Sequence, residues 1–396
     1  RSTRALRGGA RALRAVRLPP RDAAAFELSH VVERGLGTSA SSDVLRFIEP
    51  ESGEVAVLRP DMTPQIARIV ATRMRDHAPP YRIAYEGTVV RRRTGRAKKH
   101  RQIPQVGVEL CGVPSESADL ELLELASDAL RAAGLERFTI DLSDAGIVRE
   151  LLADVPAERA SEITDALAHK DEARLAEHVR GLGTAGALLA LPRLHGGRAA
   201  LEEAVRVLGG TRANAAARRL LALFDAASAQ GLAPFLTADA GEVRGFAYYT
   251  GTIFSIYAEG PGEPIGAGGR YDELLARFGA PMAAVGFGID LDALAWALRS
   301  AGVAALPRSG VIYVGTNDDG RVAALRRRGI PAVAIAYHDA ALAHARSWGH
   351  AVVWSGATVF DVAAETSTRI DAEPAGNADR DAALVARVLD TLPRGA

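Results

Sequence analysis

The chain has 396 residues with 48 basic and 48 acidic side chains, so its formal charge is zero and no global field recruits nucleic acid or a membrane. That length allows two or three domains, and any site for a polyanion must be local. The single cysteine, Cys111, excludes an intramolecular disulfide and suits a reducing, cytoplasmic setting, and no apolar run is long enough to span a bilayer.

Residues 1–24 carry no clear element. The first 21 place Arg at 1, 4, 7, 11, 14, 17 and 21 without an acidic residue, which reads either as a transit-peptide-like composition or as a trimmed, poorly defined N-terminus, and no role is assigned to it. After Pro19-Pro20, residues 22–36 predict a short helix, and Phe47–Leu58 a hairpin turning at Ser52-Gly53. A helix then starts with Thr63 as N-cap and Pro64 at the first helical position. Ile66, Ile69, Val70 and Met74 give it one buried face. Asp61, in the turn before it, is either a simple turn aspartate or a carboxylate presented to a ligand's ammonium group.

Tyr81–Val90 and Gln102–Cys111 predict two strands joined by a loop holding Arg91, Arg92, Arg93, Arg96, Lys98, Lys99, His100 and Arg101. Such a run is either a solvated hairpin tip or a phosphate-binding loop. On the second strand, alternation puts Val106, Val108 and Leu110 into the core and Gln105, Gly107 and Glu109 on the other face. A glycine between an amide and a carboxylate suits the floor of a small polar pocket for a cationic or NH-rich ligand. Cys111, in the same apolar strand, reads as a small core residue.

Residues 116–134 predict an amphipathic helix and Phe138–Leu142 a strand. From Ala145 to about Gly231 the composition turns Ala/Leu/Arg/Glu-rich without strand patterning, which predicts a helical insertion. His169, His178 and His195 within it have no ligand-like spacing. Arg244–Tyr257 reads as a strand of an antiparallel sheet, with an arginine and two adjacent tyrosines that a plain core strand does not need. Arg244, Tyr248 and Tyr249 can share one pocket only if the chain kinks near Gly245. The glycines of 266–269 read as a tight turn bringing Tyr271 to that pocket, followed by a small-residue strand at 283–288 and a helix at 289–300. Beyond Pro307–Gly310, strands at 311–315, 332–336 and 351–354 alternate with helices as far as roughly 372, and Asp379–Leu392 forms a last helix.

Four segments, Arg59-Pro60-Asp61, the 81–112 hairpin, Arg244–Tyr249 and Gly268–Gly288, closely resemble in order and spacing the catalytic core of histidyl-tRNA synthetases. The resemblance covers about residues 25–144 and 235–300, and the string Arg-Gly-x-x-Tyr-Tyr-Thr-Gly-Thr from 244 is specific to histidyl-type enzymes. It implies an α+β fold: a class II synthetase-like antiparallel sheet flanked by helices over 25–308, with the insertion at about 145–231 and a small C-terminal α/β domain at 309–396. It further implies that Glu109 and Tyr249 hold the imidazole of histidine, and Asp61 and Gln105 its amino group. The same resemblance implies that Arg244 sits near the carboxylate and that Tyr248 and Tyr271 line the site.

The departures concern the nucleotide. The basic loop reads Val90-Arg91-Arg92-Arg93 where the family has Phe-Arg-x-Glu, so Arg93 replaces the adenine-recognising glutamate and Arg91 stays as a remnant of the phosphate site. Ala293 replaces the arginine against the ATP phosphates, and Ala247 the aspartate before the tyrosine pair. One aimed cation is worth about 10²–10³ in rate, so amino-acid activation should be nearly abolished. This pattern resembles the regulatory subunits of ATP phosphoribosyltransferase, whose Arg-Pro-Asp-x-Thr-Pro-Gln-Ile-Ala-Arg string stands here at 59–68. That resemblance implies a non-catalytic chain without cofactor or metal. It would be a homodimer inside a complex with a short-form catalytic subunit, needed for the first step of histidine biosynthesis and fed back on by L-histidine. The alternatives are a working histidyl-tRNA synthetase, and another synthetase-like protein such as an amino-acid-dependent ligase or a translation regulator.

Overall fold

The structure, a computed structural model, describes residues 16–17, 23–36, 44–91, 102–243, 248–303, 308–316, 320–372 and 377–391. The chain divides into two compact units, before and after Val303/Ala304. In the first unit the strands are β1 (Val16–Arg17), β2 (Phe26–Leu28), β3 (Arg46–Ile48), β4 (Val55–Leu58), β5 (Tyr81–Val90), β6 (Gln102–Cys111), β7 (Thr139–Asp144), β8 (His195–Gly196), β9 (Leu236–Asp239), β10 (Thr252–Tyr257), β11 (Gly266–Arg270) and β12 (Ala284–Asp290). Nine of them form one sheet in the order β1-β5-β6-β12-β11-β10-β7-β9-β8, and β2-β4-β3 form a small second sheet. Within the large sheet β1–β5 and β7–β9 are parallel, and the other neighbours are antiparallel.

Alternation along the central strands gives the large sheet two unlike faces. One carries Val106, Val108, Leu110, Ile140, Leu142, Phe254, Ile256, Val285, Phe287 and Ile289 into a core shared with the Ser117–Ala132 helix and the helices of 145–227. The other is polar and glycine-rich. Helix Thr63–Arg73 lies by that second face, with Ile66, Ile69 and Val70 buried and Met74 half-buried at its C-cap.

Several expectations need correction. Residues 22–36 are not one helix: Phe26–Leu28 pairs with β4, and the helix is Ser29–Leu36. Thr63 is not the cap, because Met62 holds that position and the Thr63 hydroxyl is used elsewhere. The strand read from Arg244 begins at Thr252; Tyr248 to Gly251 are turn and coil, while Arg244–Ala247, and so any kink at Gly245, lie outside the described residues. The glycines of 266–269 are strand β11 rather than a turn. A Cβ on Gly268 would lie 2.4 Å from the Gly286 carbonyl oxygen, so glycine is required by close strand approach, not by turning. The insertion is helical apart from β8, a two-residue strand against β9. His169 and His195 are exposed and His178 is half-buried.

The second unit holds β13 (Arg308–Val314), β14 (Ala332–Ile335), β15 (His350–Ser355), β16 (Thr358–Asp361) and β17 (Thr366–Arg369) in the order β14-β13-β15-β16-β17. The first three are mutually parallel, with helices Arg321–Arg327 and His338–Trp348 between them, and Ala378–Thr391 closes the chain. Strands β16 and β17 were not anticipated: β17 is wholly exposed and contains no apolar residue, so it has no pattern to read. A buried Arg321–Asp381 pair (2.8 Å) ties the last helix to its unit.

Candidate functional site

The polar face of the large sheet floors a cavity of about 240 Å³. Its floor follows two rows across the strands. One runs Glu109–Gly286–Gly269–Ile253–Ser143, the other Gly107–Gly288–Ala267–Ser255–Asp141. Gly286 and Gly269 in the first row and Gly107 and Gly288 in the second make a trough, and the register places them side by side. A Cβ on Gly107 would stand 2.2 Å from the Tyr85 ring, and one on Gly286 only 1.6 Å from Glu109 Oε2. No larger residue lets Glu109 and Tyr85 lie flat across the sheet.

Glu109 is fully buried, and both of its oxygens are occupied. Thr63 donates to Oε1 (2.7 Å), and the Tyr271 hydroxyl donates to Oε2. Beside it, Tyr248 donates to Asp61 Oδ2 (2.7 Å) while the Thr63 amide donates to Asp61 Oδ1 (3.3 Å). Burial pushes Glu109 up to about 8, and the nearby Asp61 charge adds to this, against the lowering effect of the Tyr271 and Thr63 donors. Burial also holds the Tyr85, Tyr248 and Tyr271 hydroxyls far above their ordinary range, so they remain donors. The Tyr248 ring packs against Tyr249 (4.8 Å between centroids) and edge-on against Tyr271 (5.7 Å). The result is an acidic pocket with an aromatic wall.

The support is equally specific. Arg59 donates to the carbonyls of Thr88, Ala23 and Ala24, which fixes the turn that carries Asp61. Arg270 is buried against Asp119 and bonds Asp272, and Asp272 in turn accepts from the Ala284 amide. Thr250 donates its amide to the Arg270 carbonyl and its hydroxyl oxygen accepts from the Asp272 amide, so the tyrosine turn is tied to the segment that carries Tyr271.

The wall toward the last helix of the unit differs. Asp290 caps Leu291–Ser300, accepting from the amides of Asp292 and Ala293 (2.9 and 3.0 Å). A helix N-terminus can cradle a phosphate, but here the chain's own carboxylate fills it. Ala293 offers only a buried methyl. Arg91, the basic residue among the described lining, donates from Nε to the Pro60 carbonyl (2.8 Å).

Of the residues expected at the site, Asp61, Gln105, Tyr248, Tyr249, Tyr271 and Arg91 line the cavity, and Glu109 lies within its floor. Arg244, Ala247, Arg93 and the rest of the 92–101 loop lie outside the described residues. Sequence reasoning missed Thr63 and Tyr85, and, at the far end of the trough, Asp141, Ser143, Ser255, Glu242 and Glu263. The alternation Ile140-Asp141-Leu142-Ser143 carried a signal for part of that end. No group of three or more His, Cys, Asp or Glu side chains among the described residues can hold a metal ion. No helix among them is long and apolar enough to cross a membrane.

Comparison with known proteins gives a consistent result. The family model described as histidyl-tRNA synthetase matches residues 22–294. The ATP phosphoribosyltransferase regulatory subunit of Geobacter sulfurreducens is 38% identical over 316 residues, 77% of this chain and 72% of that protein. The protein of the same name from an Anaeromyxobacter species is 42% identical over 282 residues, 70% of this chain and 82% of its own length. Among solved structures, an ATP phosphoribosyltransferase regulatory subunit/histidyl-tRNA synthetase from Bacillus halodurans superposes with a TM-score of 0.72 at 28% identity, covering 90% of this chain and 93% of that one. Histidyl-tRNA synthetase from Nostoc sp. PCC 7120 shares the fold, with a TM-score of 0.73 at 17% identity over 98% of this chain and 94% of that one.

Proposed function

The chain belongs to the family of ATP phosphoribosyltransferase regulatory subunits, built on a class II synthetase-like fold, and from that premise we propose that it works by holding a free histidine it does not activate. It is a non-catalytic subunit of an enzyme of histidine biosynthesis. In the proposed pose, Asp61 and Gln105 receive the amino group, while Glu109 and Tyr249 receive the imidazole. Tyr248 and Tyr271 shape the walls, and Arg244 meets the carboxylate. The observation that carries this reading is the pairing of buried Asp61 and Glu109 with fixed hydroxyl donors inside one cavity. Such a constellation suits a small ligand rich in N–H donors.

The partner is a short-form catalytic subunit, which joins ATP to phosphoribosyl pyrophosphate, and this chain is a homodimer within that cytoplasmic complex. The working division is a synthetase-like core over 25–308, with its insertion at about 145–231, and a separate unit from 309. Feedback requires histidine to bind the inactive assembly more tightly than the active one; a typical coupling of about 1–3 kcal/mol corresponds to roughly 5–150-fold. Arg91 is a remnant of a phosphate site. Aminoacylation is lost, because the Asp290 carboxylate and the Ala293 methyl leave the phosphates without an aimed cation.

The test is co-expression with the catalytic subunit, followed by phosphoribosyl transfer assays with and without L-histidine. Activity that depends on this chain and falls with histidine supports the reading, as does loss of that inhibition in Glu109→Ala. A complex indifferent to histidine contradicts it.

A further inference from the structure

The trough is longer than its histidine end. From β6 to β7 it crosses four strand spacings of about 4.8 Å, roughly 19 Å in all, and one amino acid resting on Glu109 does not reach the other side. The far end has its own chemistry. Ser143 is 2% exposed, lines the cavity, and its hydroxyl has no hydrogen-bond partner. Leaving a buried hydroxyl unsatisfied costs about 1–3 kcal/mol, so a position like this one is unusual. Its neighbours on the same face are Asp141, two residues along β7, and Ser255, which stands opposite Asp141 on β10. Glu242 and Glu263 stand at the same cavity. Lys170, bound to Asp239 (2.7 Å), lies near enough to feel the charges of Glu242 and Asp141, yet it is half exposed and does not line the cavity.

We propose that this end of the trough is a second binding subsite, separate from the histidine pocket, which takes the primary ammonium group of a small aliphatic amine. Two single hydroxyl oxygens and a carboxylate on adjacent strands form a compact acceptor set that matches the three donors of an ammonium. A guanidinium is a flat fork that prefers both oxygens of one carboxylate, so it fits less well. A bare divalent ion also fits less well, since the described residues hold no cluster of three or more metal-ligating side chains. Ile253 and Pro264 line the same stretch and give an aliphatic chain an apolar surface. Asp141, Glu242 and Glu263 each already take part in an interaction, and a carboxylate with about four lone-pair positions can share them with a further donor.

The experiment is calorimetry on the full chain with putrescine and with n-butylamine, each titrated alone and again in saturating L-histidine, with magnesium chloride as a separate titrant. The amines should bind in both series with affinities that differ less than about threefold. Asp141→Asn should weaken them at least tenfold and Ser143→Ala about five- to tenfold, with L-histidine affinity unchanged in both. Ser255→Ala gives a second, smaller loss if Asp141→Asn proves unstable in a thermal melt. The proposal is overturned by absent amine binding, by simple displacement of the amines by histidine, by binding of magnesium but not amines, or by amine affinities unchanged in the variants. The amine-only series remains decisive even if histidine does not bind, so failure of the histidine reading is seen separately.

Discussion

Two walls of one cavity have been treated differently. On the wall of Asp61, Glu109, Tyr248 and Tyr271, each buried carboxylate is met by donors that the fold holds in place. On the wall of Asp290, the helix N-terminus is filled by the chain's own carboxylate, and Ala293 behind it is a buried methyl that offers no cation. The first wall suits a small N–H-rich molecule at rest. The second would have to stabilise charge that develops only during reaction. One sheet carries both walls, but different side chains make them, so a change on one wall need not alter the donors fixed on the other.

The sharpest break of this comparison is at Glu109. Glu109→Ala should weaken L-histidine binding at least 100-fold by calorimetry. Gly286→Ala should weaken it nearly as much, because the added Cβ would fall 1.6 Å from Glu109 Oε2 and displace it. Retained affinity in both variants would detach the pocket from the histidine reading. A smaller effect tests the other wall. MgATP should give no saturable heat, and Ala293→Arg alone should not restore histidine-dependent pyrophosphate exchange while Asp290 still caps its helix.

The next prediction follows from the proton on Glu109. Its carboxyl is raised to about 8 in the folded chain against 4.5 for an ordinary glutamate. The unfolded chain therefore loses this proton first. Glu109 contributes stability that is fully present below about 4.5 and is lost as pH rises through about 8. The melting temperature of the unliganded protein should fall between these limits, and in Glu109→Gln that part of the fall should vanish. An imidazole N–H favours the ionised carboxylate, so histidine binding near pH 7 should release a proton. Calorimetry in two buffers of different ionisation enthalpy would measure it. The smallest changes come from single donors: Tyr271→Phe and Tyr248→Phe should each weaken histidine by about 5- to 20-fold, since each removes one hydrogen bond to a buried carboxylate.

Much of this site was readable before any coordinates. Strands β5 and β6 have the bounds read from the sequence, and alternation along β6 put Gln105, Gly107 and Glu109 on one face. Thr63 shows why other parts were not readable. Locally it looks like a helix cap, but its hydroxyl serves a carboxylate 46 positions away, and no nearby residue signals that choice. The glycines of β11 misled in a related way: they mark close approach of neighbouring strands, which depends on partners distant in sequence. Tyr248 and Tyr249 reach the same cavity because the chain has not yet become strand there, so the alternation that would separate them does not apply. Asp141 and Ser143 join the trough only when β10 brings Ser255 opposite the first and Ile253 opposite the second.

The expected behaviour of this chain is to bind histidine and do nothing further to it. A calorimetric titration of the purified protein with L-histidine, alone and in the presence of MgATP, tests this most directly. The prediction is one saturable heat per chain, identical in the two experiments. No heat at all, or a heat that grows with MgATP as an adenylate accumulates, contradicts it.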